Sequence, residues 1–200
     1  MAQELPIFNV VGEHVALGPL RHELIPLYQR WINDFSIARG VSSLPRPWTF
    51  EMESAWVERQ LVSETSTPFT IYECRSTQPI GTTELRDLDF RNRTAEFGLL
   101  IGETSHHGKG YGTEVTRLML DYGFTALGLH NIMLRVFAYN AAGLRVYEKA
   151  GFQEFGRRRQ VGPLGNQVWD LVFMDCLSTE FRGSALSRVF TPDPVRSMER

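Results

Sequence analysis

Three alternating glycines on a short turn are the strongest chemical feature of this sequence. Gly108, Gly110 and Gly112 lie within segment 101–114, between an apolar run and an amphipathic one. Glycines in this pattern let successive backbone N–H groups converge, and the N-terminus of a following helix adds partial positive charge. Lys109 would place a full charge at the rim. The turn therefore predicts a site for a phosphate or pyrophosphate group, with a flexible strand-to-helix connection as the alternative.

Two other phosphate-binding motifs do not fit this turn. A P-loop places Ser or Thr after the Lys of GxxxxGK, whereas Gly110 follows Lys109 and position 103 holds no glycine. A dinucleotide-binding fingerprint has the form GxGxxG, but Val115 stands where its third glycine belongs. The sequence therefore argues against a nucleoside triphosphatase and against a dinucleotide-binding enzyme.

A second feature follows about thirty residues later, in segment 140–152. Asn140 is a typical residue for capping the N-terminus of a helix, and Gly151 is typical of a helix end. Tyr147 lies between them on a short predicted helix, and its phenol is a candidate proton donor. The alternative for Tyr147 is a buried aromatic residue on an amphipathic helix.

The elements that must position these two segments alternate between strand-like and helix-like patterns. Short alternating or apolar runs predict strands at 14–20, 69–75, 80–88, 95–101, 131–138, 152–158 and 167–177. Periodic apolar faces and capping residues predict helices at 23–34, 49–62, 112–127 and 140–150. The run 95–101 is nearly continuously apolar, which is typical of a central strand. The glycine turn would therefore join a central strand to an amphipathic helix.

The overall composition limits the class of protein. The 200 residues are 42% hydrophobic and 22% charged, without an apolar run long enough for a membrane span. No secretory signal is recognisable, so a cytoplasmic location without a membrane partner is expected. A net charge of −2 argues against a nucleic-acid partner. Cys74 and Cys176 have neither zinc-site nor disulfide spacing, so we expect buried thiols and no metal in a single domain.

Together the two segments resemble a known superfamily. Segment 108–113 resembles the coenzyme A pyrophosphate loop of the GCN5-related N-acetyltransferases (GNAT), and segment 140–152 resembles their Asn-to-Tyr helix, which ends in Lys-x-Gly-Phe. The RimJ/RimL-like branch is the most similar one, on segments 80–82, 89–93, 95–98 and 108–114. That branch also contains polyamine, amino-sugar and antibiotic acetyltransferases, so the resemblance indicates the donor better than the acceptor. His107 departs from the superfamily pattern, which favours Gln or Arg.

The resemblance implies a fold and a division of the chain. It covers roughly residues 14–177 and implies an α/β (α+β) GNAT fold, in which a central, mixed, mostly antiparallel sheet splays apart between flanking helices. One acyltransferase domain would span residues 1–177. Residues 178–200 would form a C-terminal tail that is extended, loosely packed or docked on a neighbour. A monomer or a homodimer is expected.

The resemblance also implies a reaction and its donor. Acetyl-CoA would be the cosubstrate, with its pantetheine arm in the splayed sheet, and an amine would attack the acetyl carbonyl directly. A backbone N–H of the central strand would stabilise the oxygen as it becomes negative. The residues implied in coenzyme binding are Leu99, Leu100, Ile101, His107, Gly108, Lys109, Gly110, Tyr111, Gly112, Thr113, Asn140 and Tyr147.

Two carboxylates and one phenol are candidates for proton transfer. A primary amine is protonated at neutral pH and needs a base. Glu96 is the candidate, because a carboxylate within an apolar strand is costly unless it is paired or functional. The alternative is a surface-facing or salt-bridged Glu96, with Arg91 or Arg93 as available partners, and Glu84 is a weaker substitute as base. As the resemblance implies, Tyr147 would protonate the leaving thiolate.

The acceptor would lie against the first two helices and their connecting loop, which cover the amine side of the cleft in this fold. Candidate substrate residues are Trp31, Arg39, Trp48 and Glu84. Aromatic side chains suit an apolar or sugar acceptor, although tryptophans on helices are more often core residues. The leading hypothesis is an N-acetyltransferase for a protein N-terminus or a small amine. The alternatives are a non-catalytic acyl-CoA sensor and an enzyme for a bulkier donor such as succinyl-CoA.

Overall fold

One sheet of eight strands organises the chain in this computed structural model, which describes residues 6–41, 46–183, 185–187 and 189–193. Its strands are β1 (Val10–Val11), β2 (Val15–Gly18), β3 (Ser66–Glu73), β4 (Pro79–Asp89), β5 (Thr94–Ile101), β6 (Asn131–Phe137), β7 (Gln153–Leu164) and β8 (Gln167–Leu177). They lie in the order β1-β2-β3-β4-β5-β6-β8-β7, and all neighbours are antiparallel except β5 and β6. The predicted mixed, mostly antiparallel sheet of an α/β fold is confirmed.

Helices with recognisable caps connect the strands. The α-helices are α1 (Ile25–Asn33), α2 (Phe35–Ala38), α3 (Phe50–Leu61), α4 (Tyr111–Asp121) and α5 (Ala141–Ala150). Thr49 and Asn140 cap α3 and α5, each accepting a hydrogen bond from the backbone N–H three residues further along. Gly151 ends α5 with a φ of 117°, which favours glycine. These three predicted helix boundaries are therefore confirmed.

Two hydrophobic clusters lie on opposite faces of the sheet. On β3, Ile71 packs in the larger cluster with Val115 of α4, whereas the hydroxyl of the preceding Thr70 is hydrogen-bonded to that of Tyr28 on α1, at 2.6 Å. Because successive strand residues point to opposite faces, α4 and α1 cover opposite sides of the sheet. The smaller cluster consists of Leu20, Ile25, Tyr28, Trp31 and Val57. It holds α1 and α3 together over β3 and β4.

The sheet opens between its two parallel strands. β5 pairs with β6 only from Thr94 to Glu96, although it remains paired with β4 as far as Ile101. β6 instead pairs along its whole length with β8. Among the described residues, the second half of β5 therefore has no strand on its β6 side. This opening confirms the predicted splayed sheet and leaves residues 99–101 along its edge.

The first part of the C-terminal tail packs on the domain. The ring of Phe181 lies 5.5 Å from that of Phe124, centroid to centroid, and Leu186 is buried in the larger cluster. The backbone N–H of Leu186 also donates a hydrogen bond to the buried carboxylate of Asp121, at 2.9 Å. The tail was expected to be extended or loosely packed from residue 178; of its described residues only Leu186 is buried, and Phe181 is half-buried, so these two side chains anchor an otherwise mostly exposed segment. Residues 194–200 lie outside the described part.

A few elements differ from the predicted ones for local reasons. β1 and α2 are too short to carry a periodic pattern, and β7 continues six residues beyond its predicted end at 158, to Leu164. The predicted helix 112–127 is α4 followed by a π-helical turn, Tyr122–Ala126. Cys176 is buried as expected, but Cys74 is only half-buried. In the described part of the chain, no helix is both long and apolar enough to cross a membrane.

Candidate active site

The glycine turn presents a row of unpaired backbone N–H groups at the start of α4. Gly108 and Gly110 have φ angles of 74° and 88°, in the left-handed region that favours glycine. Gly110 is the N-cap of α4 and offers no side chain to cap it. Among the described residues, none accepts a hydrogen bond from the backbone N–H groups of residues 108–113. The turn therefore has the donor geometry predicted for an anion-binding site.

A cleft of about 670 Å³ connects this turn with the opening in the sheet. The edge of β5, the glycine turn and the start of α5 form most of its walls. The predicted coenzyme-binding residues that line it are Leu99, Leu100, Ile101, His107, Gly108, Gly110, Tyr111, Gly112, Thr113, Asn140 and Tyr147. The structure thus brings eleven of the twelve together in one cleft, although they come from three separate elements.

Lys109 is the exception among the predicted coenzyme-binding residues. It is exposed and does not line the cleft. Its charge acts instead on Glu73, on the side of the turn away from the cleft. Hydrogen bonds from Ser76 and Tyr111 lower the pKa of Glu73, and the charge of Lys109 contributes to the same shift. The expectation that Lys109 adds a charge at the rim of the anion site is therefore not supported.

Three other cations line the cleft. They are Arg39 of the segment after α2, and Arg145 and Lys149 of α5. Arg145 and Lys149 are four residues apart, so they lie on one face of the helix, and this spacing was the available sequence signal. Arg39 was predicted to contact the acceptor; it lines this cleft together with the predicted coenzyme-binding residues. The cations that can face an anionic ligand thus come from α5 and Arg39 rather than from the glycine turn itself.

Side-chain hydrogen bonds hold the walls of the cleft. Nε2 of His107 lies 2.9 Å from the carbonyl oxygen of Ile101, so it must be the protonated nitrogen, because a carbonyl only accepts. This bond ties the turn to the end of β5. Asn140 accepts from the N–H of Gly143 at 2.9 Å and fixes the start of α5. The hydroxyl of Tyr111 donates to Glu73 at 2.7 Å, which fixes the orientation of that ring.

Tyr147 presents its phenol to the cleft from an aromatic setting. Its ring packs edge-on against Phe97 and Phe152, with centroids 6.1 Å away in both cases. Burial raises the pKa of Tyr147 to about 12, so the phenol is protonated at any physiological pH. No described residue accepts a hydrogen bond from its hydroxyl. Tyr147 therefore has a free proton donor at the position predicted for the acid.

A second cavity, of about 400 Å³, meets the cleft at the edge of β5. Leu99 and Leu100 line both spaces. Most of the remaining walls come from α1, α3 and β4, and the lining includes three predicted substrate residues: Trp31, Trp48 and Glu84. Trp31 is also a core residue, since it is 1% exposed and its indole N–H donates to Glu103 at 2.9 Å. The fourth predicted substrate residue, Arg39, does not line this cavity.

Glu96 is buried in an ion-pair network and not in either space. Its Oε1 accepts hydrogen bonds from Arg135, at 3.0 and 2.9 Å, and a shorter one from Arg86. Glu96 is 7% exposed and lines neither the cleft nor the second cavity. The structure thus shows the salt-bridged alternative, with partners other than Arg91 or Arg93. A carboxylate held by two guanidinium groups beneath the cavity floor does not support the predicted role as base.

Glu53 is the acidic side chain that the sequence analysis missed. It lies on α3, one turn before the buried Val57, and lines the second cavity while being 5% exposed. Burial raises the pKa of Glu53 to about 7. The nearby indole N–H of Trp48, which makes no hydrogen bond of standard geometry, lowers it by less. An acid on the apolar face of an amphipathic helix was the available signal, and a carboxyl that titrates near neutral pH can accept a proton.

A comparison with protein families identifies the fold that holds these two spaces. The model described as "Acetyltransferase (GNAT) domain" matches residues 14–153. The chain belongs to the GNAT acetyltransferase family. The matched range begins just before β2 and ends in β7, so it contains the splayed strands, the glycine turn and α5. The predicted superfamily is thereby confirmed.

Relatives of this GNAT chain include proteins with different acceptors in their names. It is 40% identical over 102 residues to a spermidine N(1)-acetyltransferase of Vibrio cholerae, a match that covers 51% of this chain and 58% of that protein. It is 26% identical over 158 residues to the mouse alpha/beta-tubulin-N-acetyltransferase 9, covering 72% of this chain and 64% of that one. The chain therefore matches less than two thirds of the length of either relative.

Solved structures show the same GNAT fold. A spermidine N-acetyltransferase from Vibrio cholerae, crystallised in complex with CoA and spermine, superposes with a TM-score of 0.78 at 24% identity. The superposition covers 84% of this chain and 98% of that one. At this level of identity the likeness shows the fold, and it confirms the predicted GNAT architecture.

Proposed function

We propose that this GNAT chain is an acetyl-CoA-dependent N-acetyltransferase that acts on a primary amine. The observation that supports this most directly is that the cleft and the second cavity meet at Leu99 and Leu100 and carry different chemical groups. The cleft carries unpaired N–H groups and the phenol of Tyr147, whereas the second cavity carries the buried carboxyl of Glu53. A donor and an acceptor bound in these two spaces would bring their reacting atoms together at the edge of β5.

The cleft fits acetyl-CoA as donor. Its pyrophosphate would accept hydrogen bonds from the backbone N–H groups of residues 108–113, and Arg39, Arg145 and Lys149 would face its negative charge. The pantetheine amides would pair with the free edge of β5, beyond Glu96, in place of the missing strand. The relative that was crystallised with CoA has the same fold, which agrees with this assignment.

Glu53 is the proposed base. The Glu53 carboxylate takes a proton from the bound ammonium group, directly or through water, and the neutral amine nitrogen then attacks the acetyl carbonyl carbon. The C–S bond breaks, and the second proton leaves the nitrogen for solvent water. Glu84 lines the same cavity, but its carboxylate is already engaged, because it accepts a hydrogen bond from Arg86 at 2.8 Å. Glu53 has no cationic partner among the described residues. Its pKa near 7 matches a proton acceptor that works at neutral pH.

Tyr147 would act on the leaving thiolate as a hydrogen-bond donor. Its pKa of about 12 lies above the value of about 8.5 for an ordinary thiol, so complete proton transfer to the sulfur would be uphill. A hydrogen bond from the phenol still stabilises the thiolate as the C–S bond breaks. The thiolate would take up its proton from solvent after product release. On this proposal, the same hydroxyl is available at every pH at which the enzyme folds.

The finer placement in the RimJ/RimL-like branch remains part of the proposal. It is supported by segments 80–82, 89–93, 95–98 and 108–114. The printed names of the relatives include both a polyamine and a protein as acceptor, so family membership leaves the acceptor open. The competing functions are a non-catalytic acyl-CoA sensor and an acyltransferase for a bulkier donor such as succinyl-CoA.

Calorimetry and a turnover assay together test the proposal. The protein is titrated with acetyl-CoA, succinyl-CoA and free CoA, and thiol release is then followed with a panel of primary amines. We expect acetyl-CoA binding and amine-dependent release, with kcat lowered about 100-fold in Glu53→Gln and in Tyr147→Phe at unchanged acetyl-CoA affinity. Glu58→Gln, an exposed carboxylate on the same helix, is the matched control. Binding without release would favour the sensor, and faster release from succinyl-CoA would favour the bulkier donor.

A further inference from the structure

The second cavity has largely aromatic and aliphatic walls. Tyr28, Trp31, Trp48 and Trp56 line it, together with Pro68 and the two leucines at the junction with the cleft. Its volume of about 400 Å³ lies within the range of small-molecule sites. Aromatic faces favour apolar or aromatic groups, and they also attract a neighbouring ammonium group. The walls therefore suit the carbon skeleton of an organic amine.

The charges in and below this cavity largely cancel. Glu84 accepts a hydrogen bond from Arg86, and Glu96, beneath the floor, accepts from both Arg86 and Arg135. This leaves Glu53 as the one lining acid in the described chain without a cationic partner. Residues 42–45, which lie outside the described part, include no acidic residue in the sequence. The cavity thus offers a substrate a single negative charge.

The neutral polar groups of the cavity are mostly bonded within the protein. The hydroxyl of Tyr28 is hydrogen-bonded to Thr70 at 2.6 Å, and Thr83 donates to the carbonyl of Gly98 at 2.8 Å. A sugar or a peptide would bury hydroxyl or amide groups here, and each group left unpaired is costly. The cavity therefore discriminates against acceptors with many polar groups.

We infer that the acceptor is a small primary monoamine that carries an aromatic or bulky aliphatic group, an inference that rests on the proposed acetyltransferase function. The amine would lie toward Glu53 and the apolar group against the tryptophans. A polyamine would place its further ammonium groups near Arg86 and Arg135 without a free carboxylate to pair with them. Spermidine, the acceptor in a relative's name, is accordingly expected to be a poor substrate here.

Thiol release from acetyl-CoA with matched amines tests this inference. The panel contains 2-phenylethylamine, cyclohexylmethylamine, spermidine, an amino sugar and a short peptide with a free N-terminus, all at one pH and ionic strength. We expect kcat/KM for the first two amines to be about 10-fold or more above the rest. Trp56→Leu should raise KM for 2-phenylethylamine about 5- to 10-fold, and Trp56→Phe should restore it, with acetyl-CoA affinity unchanged in both.

The outcomes distinguish a wrong acceptor from a wrong reaction. A higher kcat/KM with spermidine, with the amino sugar or with the peptide would overturn the monoamine acceptor and leave the acetyltransferase function standing. Unchanged KM in a folded Trp56→Leu protein would overturn recognition by the aromatic wall. If acetyl-CoA binds but no amine releases thiol, both the acceptor and the proposed function are wrong.

Discussion

Replacing Glu53 by Gln should stabilise the protein at alkaline pH and leave it unchanged in acid. Glu53 is 5% exposed, and burial disfavours its charged form. Gln has nearly the same shape as the protonated carboxyl and, like it, is uncharged. The variant therefore removes the cost of ionising a buried acid while leaving the packing of α3 in place. A charge removed from an exposed position would have no comparable effect.

The size and direction of this effect follow from the two pKa values. The usual pKa of Glu53, 4.5, applies to the unfolded chain, and burial raises it to about 7 in the folded one. Below pH 4.5 the carboxyl is protonated in both states, so wild type and variant should be equally stable. Between these values the wild type loses about 1.4 kcal/mol of unfolding free energy per pH unit. Above pH 7 the loss levels off, at about 3 kcal/mol at most.

Urea unfolding, followed by tryptophan fluorescence at several pH values from 4.5 to 8.5, measures this difference. The other ionisable side chains lining the cavity are Tyr28, Glu84, Arg86 and Arg135. They are present in both proteins, and burial raises the pKa of Tyr28 to about 12, so it does not titrate in this range. The matched control is Glu58→Gln, whose carboxylate is exposed on the same helix. Its stability should follow the wild type to within about 1 kcal/mol throughout.

A constant difference between Glu53→Gln and wild type across this pH range would refute the reasoning, because it would mean that Glu53 titrates alike in both states. A variant whose stability relative to the wild type falls as the pH rises would also refute it.

The ionisation of the same carboxyl should also be visible in the pH dependence of catalysis. If it is the base, kcat/KM should rise with pH through an acid limb near pH 7, and that limb should be missing from the residual activity of the variant.

Three further changes test other parts of the site. Tyr147→Phe should lower kcat about 100-fold without changing acetyl-CoA affinity, with Tyr122→Phe as the control, and the wild type should show no alkaline limb below pH 10, because burial raises the pKa of Tyr147 to about 12; weaker acetyl-CoA binding in Tyr147→Phe would instead indicate a packing role. Gly110→Ala, at a φ of 88°, should weaken acetyl-CoA binding about 10-fold in calorimetry, whereas equal affinity would argue against the N–H cradle. Glu96→Gln should cost about 2 kcal/mol of unfolding free energy in urea, because the partly exposed Arg86 and Arg135 lose their charge-assisted hydrogen bonds to a buried carboxylate; near-neutral stability would show that the network is dispensable.

Local features of the fold were readable from the sequence because each depends on neighbouring residues. The 108–112 turn needs glycines because its backbone is left-handed at Gly108 and Gly110. Asn140 and Gly151 mark the start and the end of a helix within a dozen residues. The apolar run of β5 identified a central strand. Together they predicted the anion-binding turn and the Tyr147 helix, and the resemblance of these segments to the GNAT superfamily implied the fold.

The roles of the acidic residues were decided only by the tertiary structure. Glu96 and Glu53 both stand among apolar residues, so sequence alone offers the same argument for each. Arg135, which neutralises Glu96, lies 39 positions away on a strand that joins β5 only through the parallel pairing. Glu53 reaches the second cavity because α3 packs over the face of the sheet opposite to α4. Burial and ion pairing arise from such long-range contacts, and it is they that determine which carboxyl can take up a proton.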